Sequence, residues 1–197
     1  SQVLYQCSGA ALAAGMGEVD SLVALSAAAR VAVTAEAVGR GEVEAAGVNA
    51  TAWVRDHAPS LRQGGAADVA TIAGLLAPAD ARWGGDAGGL DADSPEGIVA
   101  DAVVTAVVSP GLGCAGLREM TRLGPFLREE VKPTVVRSML ELGVAWGPGM
   151  LRRLRPRLLA ASGAPGVSDD LQGRAASAAR VSAPFGESGD LTAHPPV

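Results

Sequence analysis

Aromatic residues make up 3% of this 197-residue chain, so its core cannot be built from large rings. With 48% of residues hydrophobic, and alanine, leucine and valine dominating that share, burial has to come from close helix–helix contacts. Lysine is almost absent: Lys132 stands against fifteen arginines. The chain has two cysteines, Cys7 and Cys114, more than a hundred positions apart and with no CxxC pair or histidine cluster, which excludes a structural zinc site. A reducing cytosol favours two buried free thiols, and the sequence leaves a disulfide open.

Catalytic side chains are as sparse. There are two histidines, His57 and His194, and one asparagine, Asn49. His57 sits in "RDHAPS" near a helix end, where a solvated or capping role outweighs catalysis, and His194 falls in a tail. No GxSxG, GKS/T phosphate loop or HExxH occurs. Gly111, Gly113 and Gly116 match GxGxxG, but the βαβ setting that a dinucleotide site requires is missing. "DADSPE" at 91–96 lacks the glycine and distal glutamate of a calcium loop. No catalytic residue, metal ligand or cofactor is assigned, and the reading leans away from an enzyme.

The first seventeen residues are uncharged but lack the basic start of a signal peptide. A second uncharged run, Ala102 to Leu117, is too short to span a bilayer. A soluble, cytoplasmic protein without a membrane segment is expected.

The fold class predicted is all-α: a bundle of about six to eight helices with a Gly/Asp-rich central loop. A first helix is read from Glu18 to Arg40, with Leu22, Leu25, Val31, Val33 and Val38 near helical spacing and three glycines breaking it. Asn49 is the N-cap of a second, in which Ala50, Trp53 and Val54 share a face and Pro59 marks the stop. A third places Val69, Ile72, Leu75 and Leu76 for burial. Residues 78–96 read as a loop or linker between an N-terminal part, 1–77, and a C-terminal part, 97–183, followed by a tail, 184–197; together they are expected to form one domain.

In the C-terminal part, "GIVADAVVTAVVSP" is read as helix, and a short helix is placed at 115–123, ending at Gly124-Pro125. A helix opened by Glu129 and Glu130 buries Val135, Met139, Leu142 and Trp146 on one face, widened by Val136 and Leu140. It stops at Gly147, and Pro148 starts the next. A last weak helix is read at "LQGRAASAARV".

The net charge of −5 hides an uneven distribution: −8 over residues 1–117, +5 over 118–157 and −2 over 158–197. At the centre of the basic middle lies "LRRLRPRLLA", 151–160. On a helical wheel Met150, Leu151, Leu154 and Leu158 form an apolar face. Arg152 and Arg155 flank one side of it, Arg153 and Arg157 the other. Like charges at these spacings repel unless an anion answers them. Pro156 predicts a kink or break. Two readings follow. In one, the arginines cover the core rim and pair with Glu119, Glu129, Glu130 or Glu141. In the other, Arg118, Arg122, Arg152, Arg153, Arg155 and Arg157 together contact a nucleic-acid backbone.

"AVGRGEVEAAGVNATAWVRDHAPSLRQGGAADVATIAGLL" (37–76) and "TRLGPFLREEVKPTVVRSMLELGVAWGPGMLRRLRPRLLAASGAPGVSDDLQ" (121–172) resemble the actinobacterial domain of unknown function 222. The shared features are "TAWVRDH" with its "SLRxGGA" turn, "LREE" and the "RRLRP" segment. In that family a mostly helical region commonly precedes an HNH endonuclease domain. The two histidines here cannot build an HNH site, so the resemblance implies the helical accessory part alone. It implies a non-catalytic module associated with DNA processing, with the DNA backbone or a nuclease domain as partner. The alternative is a structural domain that forms a homo-oligomer or binds a partner through its Ala/Leu-rich faces.

Overall fold

The computed structural model describes residues 4, 7–62, 64–77 and 90–161. Among the described residues there are eight α-helices and no strand, which is the all-α bundle expected. They are α1 (Gly9–Gly39), α2 (Glu42–Ala45), α3 (Ala50–His57), α4 (Ala66–Leu76), α5 (Pro95–Val104), α6 (Pro110–Leu123), α7 (Lys132–Trp146) and α8 (Gly149–Ala161). Single 3-10 turns at Pro59–Leu61, Gly124–Phe126 and Glu129–Val131 join some of them.

The hydrophobic core is one cluster that crosses the 78–96 boundary. Val69 and Ile72 of α4 pack in it with Val99 and Val103 of α5, Leu112 of α6 and Met139 of α7. Small residues set how closely these helices approach. A Cβ added at Gly113 would stand 2.9 Å from Val99 Cγ1 and 3.0 Å from Val103 Cγ2, and one at Gly143 would stand 2.5 Å from Leu112 Cδ1. The glycines of the "GLGCAG" run therefore lie inside α6, and Gly113 serves packing.

Helix starts follow their caps. Asn49 Oδ1 accepts from Ala52 N at 2.8 Å, as expected. Ser94 and Ser109 do the same for α5 and α6, each followed by proline at the first helical position. The Ser109-Pro110 pair starts α6 five residues before the expected 115, overriding the glycines behind it. Likewise α5 begins at Pro95, inside the stretch read as linker. After α7, Gly147 (φ 81°, ψ 163°) takes an extended backbone at positive φ, open to glycine, that turns the chain into α8. Pro156 does not end α8, which continues to Ala161. The helix read at "LQGRAASAARV" lies outside the described residues.

Two apolar faces differ from expectation. In α7 the buried residues are Val135, Val136, Met139, Leu140 and Gly143, while Leu142 is exposed and Trp146 is 70% exposed. The face is turned toward α6, where Gly143 admits Leu112. In α1 the helix begins at Gly9, with Ser8 capping Ala11 N, and not at Glu18. Its buried positions are Ala28, Val31, Thr34 and Ala37. Leu22, Leu25 and Val33, expected inside, are all exposed. Among the described residues the body packs against the second half of α1, and the apolar residues earlier in the helix are exposed.

Candidate functional site

Glu119 of α6 is the buried charge on which the arginine region is organised; its side chain is 4% exposed. Arg155 reaches it from α8 in a two-pronged grip, Nε donating to Oε2 at 2.6 Å and Nη2 to Oε1 at 2.7 Å. Arg122, one turn further along α6, donates from Nη1 to Oε1 at 2.9 Å. Two guanidinium groups thus satisfy one carboxylate and fasten α8 onto α6. Arg118 lies 3.9 Å from Asp68 of α4, an acid outside the four expected. Glu129 pairs with Lys132 and, among the described residues, with none of the arginines.

Of the six arginines singled out, three are therefore answered by internal carboxylates. Arg152, Arg153 and Arg157 are exposed and make no ion pair among the described residues. They do not converge. Arg152 shares the α6-facing flank with Arg155, and Arg153 and Arg157 occupy the other flank, as the wheel gives. The expected apolar face holds at Leu151, which is fully buried, with Met150, Leu154 and Leu158 half-buried.

Arg118, Arg122 and Arg152 line one open cleft of about 740 Å³. Val23 and Ala27 of α1 and Leu112 of α6 also line it. Glu119 and Asp20 also reach this cleft, so its guanidinium charge is largely offset. A second, more apolar groove of about 950 Å³ lies between α5 and α7, rimmed by Asp101, Arg137 and Glu141. Arg137 is held to Asp93 at 2.9 Å.

Nucleophile and metal chemistry find little support in the geometry. Cys114 is buried, with Sγ 3.6 Å from the Asp68 carbonyl oxygen. Burial, followed by the Asp68 charge, pushes its thiol up to about 12, which keeps it protonated and unreactive. Cys7 is half-buried, not buried as expected, and Cys114 is a buried free thiol. His57 is exposed at the end of α3, where it stacks on Trp53 with ring centroids 4.3 Å apart and Nδ1 2.9 Å from the Trp53 carbonyl oxygen. Among the described residues, no cluster of three His, Cys, Asp or Glu side chains is placed to hold a metal.

What inspection of the arginines misses is the first half of α1. Residues 8–23 are exposed at every position. They include Leu12, Met16 (69% exposed), Val19, Leu22 (66%) and Val23. Gly15 and Gly17 lie within this stretch, and each costs a helix about 1 kcal/mol relative to alanine. A helical segment of this length is marginal in water without tertiary support. By length and composition α1 is the one helix among the described residues that could cross a membrane, with an 18-residue stretch of mean hydropathy 1.5 that is 28% buried. The signal was present in "GAALAAGMGEVDSLVAL", where apolar residues sit on several sides of the helix.

No protein-family model, curated protein or solved structure matches this chain.

Proposed function

We propose that this chain is a non-catalytic, cytoplasmic helical module that acts by contact, with the uncovered first half of α1 as its assembly surface. The observation that supports this reading is the run of exposed apolar side chains from Leu12 to Val23, in the half of α1 that is exposed at every position. Contiguous apolar surface of this kind marks interaction sites. The resemblance noted above supplies the setting, an accessory part working beside DNA-processing proteins. The test is binding of an apolar fluorescent dye to dilute protein. The wild-type chain should enhance its emission, and Met16→Glu with Val19→Glu should remove most of the enhancement. Equal emission from both would overturn the reading.

A second reading rests on Arg152, Arg153 and Arg157, which no described carboxylate answers. Three free guanidinium groups suit weak contact with a phosphate backbone. Neutralising three phosphates gives a salt slope of about −3 in log K against log [salt]. Fluorescence anisotropy with a short duplex should show such binding at low salt, weakened by Arg152→Ala with Arg153→Ala. No binding at low salt would overturn this second reading.

A further inference from the structure

We propose that the occupant of the α1 surface is a second copy of this chain, the two helices pairing antiparallel about a two-fold axis near residues 17 and 18; this rests on the reading of α1 as an assembly surface. Leu12, Met16, Val19 and Val23 are separated by four, three and four residues, the spacing of a two-stranded helical seam. All four are exposed. That spacing reads the same from either end, so a two-fold axis at its midpoint sets Leu12 against the partner's Val23 and Met16 against the partner's Val19. An isologous contact of this kind closes on itself and leaves no seam free for a third copy.

Three further features fit the pairing. The seam positions themselves carry no charge: Glu18 lies on the far side of the helix, and Asp20 flanks the seam at the level of the partner's Gly15, so self-association sets no like-charged pair in it. Gly9, Ala13 and Gly15 flank the seam with little or no side chain, which permits close approach of the two backbones. With Leu22 at its edge, the exposed apolar surface is roughly 500 Å² per copy, so the pair buries at most about 1,000 Å², the size of a weak, concentration-dependent contact. Pairing also gives tertiary support to the glycine-containing first half of α1, which is exposed at every position.

Sedimentation equilibrium on the full chain tests this at up to about 100 μM. The wild type should give a dimer mass, and Met16→Glu with Val19→Glu a monomer whose core still unfolds in one cooperative step, because both residues are exposed and lie outside the core. In a Cys7→Ser background, Leu12→Cys and Val23→Cys proteins should form a mixed disulfide when combined and none when oxidised separately. Cross-linking of Leu12→Cys alone would show parallel pairing and overturn the geometry. Larger species unaffected by the glutamates would overturn the proposal. A wild-type monomer that binds the apolar dye in an α1-dependent way would overturn self-pairing and leave the assembly reading standing. A monomer without such binding would overturn both.

Discussion

Replacing Glu119 with glutamine removes the one negative charge that holds both Arg155 and Arg122. Three hydrogen bonds converge on its carboxylate, and two helices are tied through it. Breaking a fully buried pair from one side costs about 3–5 kcal/mol, because the remaining charge is left without a partner. Arg155 is 32% exposed in its side chain and Arg122 is more exposed still, so water recovers part of that loss. The cost expected for Glu119→Gln is therefore about 2–3 kcal/mol. Urea unfolding followed by far-ultraviolet circular dichroism should show it as a lower midpoint with an unchanged slope. A cycle with Arg155→Met, Glu119→Met and the double variant adds a sharper condition. The double variant should lose at least 1 kcal/mol less than the sum of the two single losses, since neither charge is then stranded. A Glu119→Gln cost under about 0.5 kcal/mol, or an additive cycle, would refute the claim that this carboxylate fastens α8 to α6.

Other outcomes follow from local geometry. Gly113→Ala should cost about 1–2 kcal/mol in a urea titration, because stiff valine side chains block the new methyl group. Gly74→Ala, in open space on an exposed face of α4, should gain about 0.5–1 kcal/mol. Ala106 holds φ at 59° between α5 and α6, so Ala106→Gly should raise stability by about 1 kcal/mol. Cys114 should resist alkylation at pH 8 until the chain unfolds, as mass spectrometry of modified peptides would show. Its folded value of about 12 exceeds the ordinary 9, so its contribution to stability is complete below pH 9 and is lost as pH rises from 9 to 12. Thermal melts at pH 8 and 10 of wild type and Cys114→Ala would read that difference.

Much of the bundle is visible in the sequence, because its signals are local. Asn49 caps α3, Val69 and Ile72 mark the core face of α4, and Gly147 ends α7. The start of α6 was equally marked by Ser109-Pro110, but Gly111, Gly113 and Gly116 argue against a helix unless one knows that Val99 and Leu140 press against it. Periodicity fails in α1 because apolar residues sit on several of its sides, so no single stripe identifies the face the body meets. Only tertiary contact decides that Val31 is buried and that Leu22 is not. The arginines posed a similar difficulty. The i,i+3 pair of Glu119 and Arg122 is visible in the chain, whereas the arrival of Arg155 from α8 depends on how two helices pack. That arrival separates arginines that lock the fold from Arg152, Arg153 and Arg157, which are exposed and make no ion pair among the described residues.

Amide hydrogen exchange along α1, measured as a function of chain concentration, tests the central claim most directly. Partner contact, and not the body, is held to stabilise the first half of this helix. Protection of the amides from Leu12 to Val23 should therefore rise with concentration in the wild type and stay low in Met16→Glu with Val19→Glu, while Val31 and Ala37 remain protected throughout. Protection from Leu12 to Val23 that is independent of concentration, and equal in the two proteins, would contradict it.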